Sequence, residues 1–312
     1  VLSEAGFVLD STNQQFINET FDYSLTTNFV IKNSSNVLFK NCTFNYLDNG
    51  EGSGGMGLFN VDSASLTIDS CYFDDVDEIY TGGSWDIDNR NTDTVIIRNS
   101  TFEKTSFTFN LNSYNDGPVI ITNNKFYSVN STIITAQADT AYFTNNLIYY
   151  DKNSSPFHHI SISDDNNTGI RSGVINFYNN TAYMANSSYN DDWIELYEYS
   201  GGNPVFNCKN SVIWGFGGNT ISTFGNYTLN IDYSNFPAYA DSGAGNVEIY
   251  PEFIDTSAAI PDLSISSNSV CINNGQPDFT LESLFSDKDL ANNPRIFNGL
   301  PVSDIIDIGA YE

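Results

Sequence analysis

The chain has 312 residues, of which 40% are hydrophobic and 14% aromatic, so it has enough apolar surface to fold around a core. Its 38 acidic and 11 basic residues give a formal charge of -27, which repels phosphate and excludes a nucleic acid as partner. The sequence also predicts no membrane insertion, no zinc site and no disulfide scaffold, because it has no long apolar run and its four cysteines lack metal-ligand spacing.

An eight-residue pattern recurs along the chain, with apolar residues at positions one and three, Asn or a substitute at position five, and Phe or another apolar residue at position eight. The four clear copies are VLFKNCTF (37–44), LTIDSCYF (66–73), VIIRNSTF (95–102) and VIITNNKF (119–126). Weaker copies begin at residues 141, 175, 206 and 229. The alternation at the start of each copy predicts a β-strand, and no segment has a sustained helical period.

The copies must stack on one another, because a short strand with one or two inward side chains has no partner of its own. The spacing between copies varies from 22 to 34 residues, which places the insertions in loops. The sequence therefore predicts one all-β solenoid of parallel strands, with at least eight rungs, almost no helix, and columns of stacked Phe and aliphatic side chains.

Asn accounts for 42 of the 312 residues, and the fifth position of the pattern is usually Asn. The eight fifth positions are Asn41, Ser70, Asn99, Asn123, Asn145, Asn179, Asn210 and Tyr233. Rungs about 4.8 Å apart would let inward-turned amides hydrogen-bond to one another as a buried ladder. The alternative is that Asn marks a turn because it tolerates left-handed backbone.

The repeat resembles that of right-handed parallel β-helix proteins of the pectate-lyase-like superfamily, which includes polysaccharide lyases, polygalacturonases and bacterial surface proteins. The end of the chain resembles the closing segment common in Bacteroidetes-like exported proteins, in PEFID (251–255), DLSI (262–265), SVCINNG (269–275), DLANNPRIFNG (289–299) and DIGAYE (307–312). The resemblance implies a single-stranded right-handed parallel β-helix that is secreted or displayed at the cell surface. Residues 1–36 are then an N-terminal cap and first rung, 37–236 the repeats, and 237–312 the C-terminal rungs and closing segment of the same domain.

A second set of alternating strands lies between the copies, and its outward residues are expected to form one exposed strip. These residues are Asp86, Asp88 and Arg90, then Thr108, Asn110 and Asn112, then His159, Ser161 and Ser163, and finally Trp193, Glu195, Tyr197 and Tyr199. Polar side chains can hydrogen-bond sugar hydroxyls, and aromatic rings offer flat apolar faces to a pyranose. The strip is therefore a candidate polysaccharide groove, with a solvated sheet face as the alternative interpretation.

Catalysis by the same strip would need a base and a cation for lysis, or paired carboxylates for hydrolysis. The candidates are Arg90, His159, Asp86 and Asp88. Asp164 with Asp165 faintly resembles the double aspartate of polygalacturonases, but the Gly-His-Gly that accompanies it in that family is absent. A polysaccharide lyase or glycoside hydrolase is thus the alternative to a carbohydrate-binding, adhesin-like module.

No cofactor is required by this interpretation, although a Ca²⁺ site is conceivable in the acidic loop of Asp74, Asp75, Asp77 and Glu78. A solvated acidic turn is the simpler interpretation of that loop. We expect the four cysteines to be buried free thiols, and the expected partner is a polysaccharide or cell-surface glycan. The chain is expected to act as a monomer or as part of a longer polypeptide.

Overall fold

The computed structural model describes residues 7–24, 29–47, 58–79, 94–104, 106–107, 109–111, 117–127, 134–137, 140–150, 160–164, 172–185, 193–216, 220–237, 239–258, 260–276, 288–294 and 306–311. Within these ranges the regular secondary structure consists of β-strands and contains no helix. Accordingly, no helix among these residues is long and apolar enough to cross a membrane.

Three stacks of parallel strands run along the molecule. The long sheet contains β2 (Asn13–Ile17), β5 (Asn36–Lys40), β8 (Ser65–Asp69), β11 (Val95–Arg98), β15 (Val119–Thr122), β18 (Thr140–Thr144), β21 (Val174–Tyr178), β24 (Val205–Lys209) and β27 (Thr228–Asp232). The second sheet contains β3 (Thr20–Ser24), β6 (Thr43–Leu47), β9 (Tyr72–Asp74), β12 (Thr101–Glu103), β16 (Lys125–Tyr127), β19 (Leu147–Tyr150), β22 (Thr181–Met184) and β25 (Val212–Trp214).

The third face of the solenoid is divided into three smaller parallel sheets. They contain β1 (Phe7–Asp10), β4 (Phe29–Lys32) and β7 (Phe59–Asp62); β10 (Asp77–Ile79) and β13 (Ser106–Phe107); and β14 (Phe109–Leu111), β17 (Ile134–Gln137), β20 (Ile160–Ser163), β23 (Ile194–Tyr197) and β26 (Ile221–Phe224). We call the last of these, with five strands, the third sheet. Each pairing joins one strand to its equivalent in the next turn, so the chain is the all-β, right-handed parallel β-helix that the sequence predicts.

The nine strands of the long sheet give nine turns, one more than the number of copies found in the sequence. The additional turn is β1–β3, in which Gln14 pairs with Val37 and Phe16 with Phe39. Residues 14–21, QQFINETF, are therefore a ninth copy whose first position is Gln instead of an apolar residue. The domain boundaries at residues 36 and 236 stay a prediction.

Phenylalanine columns fill the interior, as the last position of the pattern predicts. Phe44 stacks on Phe73 with a distance of 4.5 Å between ring centroids, Phe73 on Phe102 at 4.6 Å, and Phe102 on Phe126 at 4.9 Å. Each ring is fully buried. Offset stacking of this kind adds to the stabilisation that comes from burial alone.

The fifth position of the pattern is a corner of the solenoid and not the buried ladder. All eight fifth residues have a positive φ, between 47° and 58°, which is the alternative that the sequence left open. Asn99 is exposed and Asn123 is half-buried, so the prediction that both are buried was wrong. Asn99 donates to Asp69 in the preceding rung (Nδ2 to Oδ1, 2.9 Å). The predicted amide-to-amide bonds between rungs do occur at the fifth position, from Asn123 to Asn99 (Nδ2 to Oδ1, 3.5 Å) and from Asn145 to Asn123.

A buried ladder does exist, one residue later, at the sixth position of the pattern. We define the buried ladder as Ser100, Asn124, Asn146, Asn180, Ser211 and Ser234, all with at most 1% exposure. The side-chain oxygen of each accepts the backbone N–H of the equivalent residue in the preceding rung, at 2.8 to 3.2 Å. Side-chain oxygens therefore accept the backbone N–H groups that the corners leave inside, and the amides of Asn124 and Asn146 donate to buried carbonyls.

The cysteines are four buried free thiols, as expected. Cys42 and Cys71 occupy the sixth position in two neighbouring rungs, in line with the buried ladder. Burial raises the pKa of the Cys71 thiol to about 12 and that of Cys208 to about 12 as well. These thiols are protonated small side chains of the core.

The C-terminal segment lies outside the solenoid and covers part of the second sheet. It contains the antiparallel strands β28 (Phe253–Asp255) and β29 (Asp262–Ile265). Phe253, Leu263, Cys271 and Ile308 pack with the outward residues of the second sheet, of which Tyr149 is one. These residues thus form a cover, and Gly309 donates its N–H to Asn210 (N to O, 2.8 Å). Closer to the solenoid, Val247 pairs in parallel with Asn235 and continues the stacking.

Candidate functional site

The third sheet carries the described part of the strip that the sequence predicts. Ile160, Ile162, Ile194 and Leu196 are buried, while Ser161 and Glu195 lie on the outward side of neighbouring strands. The strand register aligns Ser161, Glu195 and Ser222 as one outward column. The backbone pairing continues from Ser161 to Thr135 and Asn110. The predicted alternation is therefore confirmed for Ile160 to Ile162 and for Ile194 to Leu196. It was wrong for Ser163, which is 3% exposed at the end of β20.

Three aromatic rings meet at the C-terminal end of the third sheet. The Tyr197 ring stacks on Phe224, which is directly across the strand pair, with 4.8 Å between centroids and 17° between planes. Tyr197 also contacts Tyr199, at 4.7 Å. Tyr199 is 55% exposed and Phe224 58% exposed. We call Tyr197, Tyr199 and Phe224 the aromatic platform.

A buried carboxylate holds one member of the platform in place. Asp164, at the end of β20, accepts hydrogen bonds from the backbone N–H groups of Tyr199 (2.6 Å), Ser200 (2.9 Å) and Gly202 (2.8 Å). Burial of the carboxyl raises its pKa, but these donors outweigh that effect, and the pKa of Asp164 is lowered from its ordinary value. Residue 202 must be glycine because its backbone lies against the Asp164 side chain, and an added Cβ would be 2.3 Å from the Asp164 Cβ.

The next rung repeats this arrangement with a different carboxylate. Glu198 accepts the backbone N–H of Asn226, in the loop that follows Phe224. The loop that contains Tyr199 and the loop that follows Phe224 are thus each held by an acidic side chain from the preceding rung. The platform is consequently built on fixed backbone and does not depend on ring packing alone.

Trp193 does not belong to the strip, contrary to the sequence-based expectation. It is 0% exposed and packs against Phe177, Phe216 and Phe236, at 5.5, 5.1 and 6.2 Å between centroids. The reason is that Trp193 precedes β23, so the two-residue alternation that applies from Ile194 onward does not extend to it. Its indole fills the end of the core instead.

Several predicted residues fall outside the part of the chain that the structure describes. Asp86, Asp88, Arg90, Asn112 and His159 are among them, and Asn110 is described by its strand pairing alone. The roles predicted for these residues in binding or catalysis stay predictions. Of the predicted strip, the structure brings Glu195, Tyr197 and Tyr199 together on one surface.

The carboxylates of the described strip are engaged in hydrogen bonds. Both carboxylate oxygens of Asp164 accept loop donors, so Asp164 acts as a fixed structural anion and not as half of a catalytic pair. Glu195 accepts a hydrogen bond from Ser161 (Oγ to Oε2, 3.3 Å). Among the described outward side chains of the third sheet, Glu195 is the one carboxylate.

The acidic loop after β9 is described in part. Asp74 pairs with Lys104 (Oδ1 to Nζ, 3.6 Å), and Asp75 is exposed with a φ of 53°. Asp77 and Glu78 begin β10, whose side chains lie outside the described residues. No group of three or more metal-ligating residues occurs among the side chains that are described, and the Ca²⁺ site stays a prediction.

Phe224 is the site residue that sequence reasoning missed. It belongs to ISTF (221–224), which lacks the apolar–polar alternation of β20 and β23 and contains one aromatic residue and no acidic one. The signal was its spacing of three residues from the inward Ile221, which places Phe224 on the outward side. What the sequence did not reveal is the register that sets Phe224 beside Tyr197.

Comparison with known proteins adds little to this geometry. No protein-family model and no curated protein matches the chain. Among solved structures, the crystal structure of pectate lyase Pel9A matches with a TM-score of 0.30 and 12% sequence identity, over 98% of this chain and 87% of that chain. The fold assignment rests on the strand pairing of this chain itself.

Proposed function

We propose that this β-helix is a secreted or cell-surface module that binds an extracellular polysaccharide, in the manner of an adhesin. The observation that carries the proposal is the aromatic platform, in which three contacting rings stand on the outside of a regular sheet. A single exposed ring is ordinary, whereas a contiguous apolar patch bordered by polar groups is typical of an interaction site.

The platform has the chemistry that a sugar ring requires. The C–H faces of a pyranose are apolar and pack on aromatic rings, while its hydroxyls need hydrogen-bonding partners close by. Glu195, Ser161 and Ser222 supply such partners in the column beside the rings. Because Asp164 and Glu198 hold the two loops before any ligand binds, less ordering entropy is lost on association.

The length of the strip favours a polymer over a single sugar. The third sheet has five parallel strands, with successive strands about 4.8 Å apart. A chain lying across its last three strands would meet the polar side chains of Ser161, Glu195 and Ser222 in turn, with the rings beside them. Affinity then comes from stacking, and orientation comes from the hydroxyl contacts.

Affinity electrophoresis against a panel of neutral and acidic polysaccharides tests the proposal. The double variant Tyr197→Ala with Phe224→Ala should weaken retention by about tenfold or more, since each aromatic contact is worth about 0.5–1.5 kcal/mol. Tyr250→Ala is the matched control, because Tyr250 is a 38% exposed tyrosine outside the third sheet. Retention that survives the double variant, or that is lost equally in the control, would refute this assignment.

A further inference from the structure

A second concave site lies on a different part of the solenoid. A cavity of about 440 Å³ opens between the corners of two neighbouring rungs and residues 288–294 of the C-terminal segment, which we call the tail loop. Its floor includes Asn99, Thr101, Asn123 and Lys125, and its roof includes Lys288 and Leu290. This volume falls within the range of about 300–1,000 Å³ that is usual for small-molecule sites.

The roof of the cavity is attached to the solenoid by backbone hydrogen bonds. Asn145 donates its side-chain amide to the carbonyl of Lys288 (3.1 Å), and Leu290 donates its N–H to Ala310 (2.9 Å). Asp289 is turned into its own loop, where its carboxylate accepts the backbone N–H of Asn293 (2.6 Å) and its side-chain amide (3.1 Å). The cavity is therefore preformed, and Asp289 is 3% exposed.

Two lysines and one aspartate, Asp289, supply the charges that line the cavity. The chain has 11 basic residues against 38 acidic ones, yet two lysines line this one cavity. Elsewhere Lys32, Arg98 and Lys104 are each paired with an aspartate. Within the described part of the chain, Lys125 has no such acidic partner, and it is partly exposed beside the amides of Asn99 and Asn123.

We propose that this cavity binds a sugar carboxylate, the acidic form of a single monosaccharide unit. Lys125 and Lys288 attract the carboxylate. The amides of Asn99 and Asn123 and the hydroxyl of Thr101 suit the sugar hydroxyls, and Leu290 suits a C–H face. The cavity lies at the corner between the long and second sheets, whereas the aromatic platform lies on the third sheet, so the two sites are independent.

Calorimetric titration with D-glucuronate tests the proposal, with D-glucose and acetate as probes that lack the carboxylate or the hydroxyls. Glucuronate should bind the full chain more tightly than either probe, and added salt should weaken it. Lys125→Met should weaken glucuronate binding by about tenfold to a hundredfold, the usual effect of losing a charged hydrogen bond. Lys40→Met is the matched control, because Lys40 is an exposed lysine on the outer face of another rung.

Two sources of the carboxylate are separable by the same measurement. A disaccharide with glucuronate at its non-reducing end represents a glycan terminus, and free glucuronate represents a soluble sugar acid. The probe that binds with the higher affinity identifies the source of the carboxylate. The proposal is overturned if neither binds at millimolar concentration, or if Lys125→Met and Lys40→Met have the same effect. Retention of polysaccharide by the platform is measured separately with Tyr197→Ala, so failure of one site does not imply failure of the other.

Discussion

Replacement of Asn146 by Leu tests whether the buried ladder holds the rungs together. Asn146 is 0% exposed, and its Oδ1 accepts the backbone N–H of Asn124 (2.9 Å) and the side-chain amide of Asn124 (3.0 Å). Its own amide donates to the carbonyls of Ile121 and Thr144, both at 2.9 Å, and to Asn180 Oδ1 at 3.1 Å. Leucine has a similar volume but makes none of these hydrogen bonds.

The expected cost follows from the groups that the change leaves unpaired. The backbone N–H of Asn124 loses its partner inside the core, and one buried polar group without a partner costs about 1–3 kcal/mol. The carbonyls of Ile121 and Thr144 each lose a donor as well, so we expect Asn146→Leu to lower the free energy of unfolding by at least about 2 kcal/mol. A change of that size lowers the melting temperature of a large domain by roughly 4–8 °C.

Asn146→Ser is the matched control, because serine already occupies this position in other rungs. Ser100 and Ser211 each accept a neighbouring N–H and donate to the carbonyl two residues earlier, at 2.9 and 3.0 Å. Serine at 146 should therefore cost less than leucine although it leaves a larger void. Urea unfolding followed by circular dichroism measures both, and a leucine variant as stable as the wild type, or more stable than the serine variant, would refute the reasoning.

Three further predictions concern the corners, the thiols and the response to acid. Asn123 has a φ of 58°, so Asn123→Val should destabilise the fold by about 1–2 kcal/mol whereas Asn123→Gly should be close to neutral; equal melting temperatures would contradict this. Thiol titration should find four free cysteines after denaturation and very slow reaction of Cys208 in the native protein at pH 8, since its pKa is about 12; rapid native labelling would count against its burial. Because its pKa is lowered, Asp164 contributes its full stabilisation above its ordinary pKa of 3.8, and this contribution is lost as the pH falls below that value. Asp164→Asn should therefore be less stable than wild type at pH 6 and should lose less stability on acidification. Parallel pH profiles of the two proteins would show that the carboxylate does not hold the loop.

The sequence alone determined the architecture, because each copy of the pattern places the same residue types at the same positions. Alternating apolar residues specify a strand and the eighth residue a buried ring, and such short strands bury their apolar side by stacking on one another. The Phe columns, the buried thiols and the outward position of Glu195 and Tyr197 follow from that repetition. These features are local, so a single sequence was sufficient to predict them.

The tertiary structure decided where the pattern passes from one element to the next. The left-handed turn at Asn99 directs its side chain outward and places the ladder at Ser100, which spacing alone did not distinguish. Trp193 is buried because β23 begins after it, and strand ends depend on pairing with a neighbouring rung. Phe224 reaches Tyr197, and the tail loop reaches Lys125, through contacts between distant parts of the chain. Both candidate sites therefore depend on register and long-range packing, which local sequence patterns do not specify.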